Sequence, residues 1–96
     1  MEQLLFYVYL LLSVKYGKLY IGQTRDLLQR FEYHNNNRSG FTKNKGPWVL
    51  LAFKRFATRG EAMTEENRLK KLKNRQRILE EFGLIPNDFI QLLDFN

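Results

Sequence analysis

The sequence predicts a single α+β domain in which three strands are interleaved with helices. Three stretches carry that reading. Leu4–Val14 is a continuous apolar run, Leu19–Thr24 alternates in polarity, and Pro47–Phe53 is a third run of aromatic and branched residues. Helical spacing takes over after the second stretch, from near Asp26, and after the third, from Thr58. At 96 residues the chain suffices for one modest core and is too short for two. Its 44% hydrophobic and 15% aromatic content is that of a folded domain rather than a disordered one.

The first strand, Leu4 to Leu12, shows no alternation, which suits a central strand buried on both faces. Ser13 to Gly17 is then a hairpin loop, with Gly17 at the position of positive φ. In the second strand Lys18, Tyr20, Gly22 and Thr24 share one face, and Leu19, Ile21 and Gln23 the other. The Leu19/Ile21 face suits a core. The opposite face offers a tyrosine, a bare glycine and a hydroxyl, a poor set for packing and a good one for a ligand. Gly22 marks either a place where a ligand or another backbone approaches the strand closely, or a bulge.

Thr24 or Asp26 can cap the helix that follows, which runs to about Asn36. Leu27, Leu28 and Phe31 form its apolar stripe, bordered by Arg30 and His34 four residues apart. Asn35 to Gly46 is a polar, basic loop whose Lys43 and Lys45 could follow a phosphate backbone. Pro47–Phe53 is the third strand, and Lys54–Phe56 its exit. Thr58 and Glu61 form a capping box for a helix with Ala62, Met63, Leu69 and Leu72 on its inner side. Glu65 and Glu66 fall within that apolar arc, so at least one needs a partner, such as Lys70 or Lys73 on the next turn. A basic run follows, Lys70, Lys71, Lys73, Arg75 and Arg77. A short helix from Arg75 to Phe82 stops at Gly83. Residues 1–83 thus form the folded unit. The tail 84–96, with Ile85, Phe89, Ile90, Leu92, Leu93 and Phe95, should dock on the domain, on a partner protein or on a second copy.

A formal charge of +6 and a pI near 9.8 favour a polyanionic partner, with nucleic acid the first candidate. There are no cysteines, which excludes disulfides and thiolate metal sites and is consistent with a reducing, cytoplasmic setting. The Leu4–Val14 run is too short to span a bilayer and lacks the flanks of a signal peptide.

Tyr7-Val8-Tyr9, Tyr20-Ile21-Gly22, Arg30, His34 and Glu66, in this order and spacing, resemble the GIY-YIG endonuclease domain, most closely its small stand-alone bacterial members. The resemblance covers roughly Phe6 to Arg77. It implies a small three-stranded, mostly antiparallel sheet flanked by helices, and metal-dependent hydrolysis of DNA phosphodiesters. Carried over by position, Glu66 would hold one divalent ion, Mg²⁺ or Mn²⁺. Tyr20 would help deprotonate the attacking water, with Tyr9 beside it as orienting partner or alternative base. Such a phenol needs a nearby cation, which Arg30 supplies while also binding phosphate oxygens. His34 would support one of the tyrosines or pass a proton. Lys43, Lys45, Lys70, Lys71 and Lys73 would contact phosphates. The first triplet is Tyr-Val-Tyr rather than Gly-Ile-Tyr, and the asparagine of many members has only Asn67 and Asn74 as counterparts by type. A non-catalytic nucleic-acid binder on the same scaffold is the alternative.

Overall fold

In the computed structural model, which describes residues 5–36 and 43–85, β1 (Phe6–Ser13) is the middle strand of a three-stranded antiparallel sheet. Its unbroken apolar sequence follows from that position: Val8 to Ser13 are all buried, because both faces of the strand are covered. β2 (Leu19–Thr24) pairs with one edge of β1 and β3 (Trp48–Phe56) with the other. The hairpin turns at Gly17, whose φ of 67° is the left-handed conformation glycine adopts without steric cost. The Gly17 N–H donates to the Ser13 carbonyl at 2.7 Å and closes the turn.

Each face of β1 feeds its own core. Val8, Leu10 and Leu12 join Ile21 against Ala62, Leu69, Ile78 and Leu79, which come from α2 (Arg59–Leu72) and α3 (Arg75–Glu81). Tyr9, Leu11 and Trp48 form the second cluster, covered by Leu27 and Phe31 of α1 (Leu27–Asn35) and by Tyr20. Leu28, by contrast, is 69% exposed, so the helical stripe is narrower than the sequence suggests and pairs Leu27 with Phe31. Met63 likewise points outward, and the inner face of α2 is Ala62, Leu69 and Leu72.

The caps match their expected chemistry. Asp26 accepts the Gln29 N–H at 3.0 Å for α1, and Thr58 accepts the Glu61 N–H at 3.1 Å for α2. Asn74 does the same for α3, accepting the Arg77 N–H at 3.0 Å. Gly83, φ 76°, follows the end of α3.

β3 departs from expectation in two ways. It continues through Lys54, Arg55 and Phe56, which pair with Val8, Tyr7 and Phe6 instead of leaving the sheet. It also carries the sheet's bulge. Ala52 faces Leu10 and Leu50 faces Leu11, so Leu51 is the extra residue. The extra residue shifts the alternation by one. Trp48 and Phe53, five apart, therefore both lie on the Tyr9 face, Phe53 directly opposite Tyr9. Gly22 is not bulged; its ladder with Tyr9 is regular. No helix among the described residues is long and apolar enough to cross a membrane. Leu84 packs on the core, Ile85 is exposed, and the remainder of the expected docking tail lies outside the described residues.

Candidate active site

The alternation of β1 and β2 brings Tyr9, Tyr20 and Gly22 to one face of the sheet, under α1. Gly22 stands opposite Tyr9, and the reason for the glycine is the Tyr9 side chain itself. A Cβ at this position would collide with the Tyr9 hydroxyl and lie 2.6 Å from its Cζ and 3.0 Å from Tyr20 Cε2. The close approach is thus made by a neighbouring phenol lying across β2.

That phenol ends at His34. The Tyr9 hydroxyl and His34 Nε2 share a 2.8 Å hydrogen bond, with Tyr9 2% exposed and His34 fully buried. The sequence places His34 at the border of the apolar stripe; the fold turns it inward and leaves Arg30, one helical turn earlier, exposed. Tyr20 completes the cluster, its ring centroid 4.9 Å from that of His34 and 6.2 Å from that of Tyr9. Trp48 backs Tyr20 edge-on at 6.3 Å. Asn35 holds Trp48 there by a strand-like exchange: its Oδ1 accepts the Trp48 N–H at 2.7 Å and its Nδ2 donates to the Trp48 carbonyl at 3.1 Å. Neither Asn35 nor Trp48 announces this role in the sequence, because the contact joins a helix end to a strand start 13 residues away.

Electrostatics divide the cluster. Burial pushes the Tyr9 phenol well above its ordinary range, a charge on Tyr20 adds to this, and Arg30 opposes it by hydrogen bonding and by charge. Burial and the Arg30 charge both push His34 down, to about 4. Tyr9 and His34 are therefore neutral near pH 7. The Arg30 guanidinium carbon lies 4.8 Å from the centroid of the Tyr33 ring, which steadies a long exposed side chain in reach of the cluster.

Glu66 approaches from the α2 side, beneath the edge strand. Gln23, next to Gly22 but on the opposite face, donates from Nε2 to Glu66 Oε1 at 3.1 Å, and Lys70 Nζ stands 3.0 Å from Oε2. The Glu66 charge acts on Tyr9 across the strand. Its side chain is 14% exposed, so the carboxylate is half-sheltered and satisfied by two donors. Among the described residues no three His, Cys, Asp or Glu gather. One sheltered carboxylate fits a hard cation that keeps most of its waters, such as Mg²⁺, better than an ion needing a full protein cage.

Glu65 has a different task. Lys54 Nζ lies 2.6 Å from its Oε2 and Arg68 Nε 2.7 Å from its Oε1, and Arg68 also reaches Glu81 Oε2 at 2.7 Å. This network ties β3, α2 and α3 together. The hydrogen bonds from Arg68 lead in holding the Glu65 carboxyl down at about 2.

The basic residues are dispersed. Lys70, Lys71 and Lys73 are exposed on and just after the last turn of α2, Lys73 in the left-handed conformation at φ 50°. Lys18 joins Lys73, Asn74 and Arg75 around a shallow groove beside β2. Lys43 is exposed. Lys45 is half-buried, and its carbonyl accepts the Ser13 hydroxyl at 2.6 Å. Asn67 is exposed and Asn74 is committed to capping α3.

A family model for the GIY-YIG catalytic domain matches residues 5–78. A UPF0213 protein of Oceanobacillus iheyensis is 37% identical over 69% of this chain and 77% of its own length. A UPF0213 protein of Streptococcus pneumoniae is 36% identical over 93% of this chain and 87% of its own. A solution NMR structure of a UPF0213 protein from Bacillus halodurans is 34% identical, covering 76% of this chain and 78% of that one, with a TM-score of 0.48. These names assign no reaction.

Proposed function

This chain belongs to the GIY-YIG catalytic-domain family, and on that premise we propose that it is a metal-dependent endonuclease that hydrolyses DNA phosphodiester bonds. The observation that carries the reading is the convergence at Gly22. Tyr9, Tyr20 and His34 lie on one side of β2 with Arg30 acting on them, and Glu66 comes up to the same point from the other.

Each residue has a role its surroundings support. Tyr20 helps take the proton from the attacking water. Tyr9 orients rather than acts as base, since burial keeps its proton on and His34 fixes its hydroxyl. His34 is the neutral partner of Tyr9. Arg30, exposed and steadied by Tyr33, would bind non-bridging phosphate oxygens and offset the charge that gathers there in the transition state. Glu66 would hold the one divalent ion, Mg²⁺ or Mn²⁺, which when bound supplies positive charge at the phosphate. Lys70 would leave the carboxylate as the ion enters, and would then join Lys71 and Lys73 in contacting flanking phosphates, with Lys43 and Lys45 at a second position on the strand.

A non-catalytic nucleic-acid binder is the second reading, and one observation favours it: both Glu66 oxygens already have a partner, Gln23 and Lys70. Purified protein incubated with a panel of labelled DNA structures, with Mg²⁺ or with EDTA, separates the two. Cleavage that requires Mg²⁺ supports the nuclease. Binding whose affinity falls steeply with salt, with no cleavage of any substrate, supports the binder.

A further inference from the structure

The sheet face that carries Tyr9 is only half roofed. α1 covers the end with Trp48, Leu11 and Tyr20, whereas the other end presents Tyr7, Phe53 and Arg55. Phe53 is 46% exposed and sits directly opposite Tyr9 on the neighbouring strand. Tyr7 meets it edge-on, with centroids 5.7 Å apart and planes at 75°. Arg55 is opposite Tyr7, exposed, and makes no ion pair among the described residues. A single exposed apolar residue is ordinary on a protein surface. Here, however, an aromatic ring is braced by a second one, flanked by an arginine, and adjoins the phenol cluster.

We propose that Phe53, braced by Tyr7, stacks on an unpaired base next to the phosphate held at the Tyr9–Tyr20 cluster, so that the substrate is DNA with unpaired nucleotides at the cut. This deepens the nuclease reading above and rests on it. Two arguments select the occupant. A ring exposed beside an arginine offers both a stacking surface and a charge for the adjoining phosphate, the pairing that suits single strands. In a duplex the faces of the bases are already stacked on one another, so such a ring gains little from it. The bulge at Leu51 is what brings Phe53 to this face at all.

The test measures binding in EDTA, by fluorescence anisotropy, to a single strand, to the duplex of the same sequence, and to an abasic strand of equal length and charge. Wild type should bind the single strand about tenfold or more tighter than either of the others. Phe53→Leu should lose about tenfold on the single strand and nothing on the duplex, and Phe53→Trp should retain wild-type affinity. Equal loss on single strand and duplex, no loss on either, or tight binding of the abasic strand would overturn the proposal. The abasic arm needs no variant, so it holds even if a substitution disturbs folding. Mg²⁺-dependent cutting of the single strand by Phe53→Leu with wild-type rate and affinity overturns the stacking role alone. Failure to bind or cut any DNA overturns the nuclease reading with it.

Discussion

Tyr9 and His34 share a 2.8 Å hydrogen bond in the interior, and neither group is charged at neutral pH. The pair links β1 to α1, so the state of one side chain fixes the position of the other. An imidazole held down to about 4 must take up a proton more readily when the chain unfolds, where its value returns to about 6.5.

Stability should accordingly be complete above pH 6.5 and fall as the pH drops from 6.5 toward 4, by up to about 3 kcal/mol for a shift of this size. Denaturant unfolding at pH 7, 5.5 and 4 measures this. His34→Gln should flatten that part of the profile. His34 is the only histidine in the chain, so its NMR titration can be read without assignment. A midpoint near 6.5 in the folded protein would contradict the buried, neutral pair.

Gly22→Ala should be far more damaging than an added methyl group usually is on a strand. The new Cβ meets the Tyr9 phenol, which cannot swing away without breaking its bond to His34. A loss of about 1–3 kcal/mol in stability is expected. The cleavage rate should fall at least tenfold in protein that remains folded. Retained activity would mean that the position of Tyr9 is not critical.

Glu66→Gln should abolish cleavage while leaving folding and DNA affinity nearly intact, and calorimetric titration should show that Mg²⁺ binding is lost. Glu65→Gln separates the two neighbouring carboxylates. It should keep the metal and the chemistry but lose stability, because Lys54 and Arg68 then lack their shared anion. Since the Glu65 carboxyl is held down at about 2, its contribution is present above pH 4.5 and is lost as the pH falls from 4.5 toward 2. Glu65→Gln should show no such acid step. If Glu65→Gln abolishes metal binding and Glu66→Gln does not, the two assignments are reversed.

Arg30→Ala should lower the single-turnover cleavage rate about a hundredfold or more and weaken DNA binding only modestly, since the guanidinium matters most as charge builds on the phosphate. Arg30→Lys should restore little, because an ammonium lacks the planar fork and rests less well on Tyr33. Equal losses in rate and affinity would reduce Arg30 to a binding residue.

Local signals in the sequence were reliable where local physics decides. Gly17 at the hairpin, Thr58 and Glu61 at the start of α2, and the doubly buried first strand are all as the residues imply. Arg30, His34, Tyr9 and Tyr20 could be grouped by strand and helix spacing together with the family resemblance. What could not be read depends on contacts distant in sequence. Leu28 and Met63 are apolar residues at plausible helical positions, but no facing element reaches them. The Gly22 alternatives, a ligand or a bulge, both missed the phenol opposite, since strand register is not visible in one strand. Glu65 and Glu66 are neighbours with the same side chain; only the packing of α2 gives one to Lys54 of β3 and the other to Gln23 of β2.

β1 alternates between two duties. Val8, Leu10 and Leu12 look toward α2 and α3, while Tyr9 and Leu11 look toward α1 and the phenol cluster. On the proposed nuclease reading, adjacent positions in the gene are thus answerable to unrelated requirements, persistence of the fold on one side and reactivity on the other. Drift at Leu10 can be compensated from Leu69 or Leu79 without consulting the chemistry, whereas drift at Tyr9 must be compensated at Gly22 or His34. The central strand works as a partition, and a lineage could retune its thermal tolerance through the even-numbered residues while the phenol cluster proposed to carry the chemistry stays where the odd-numbered ones hold it.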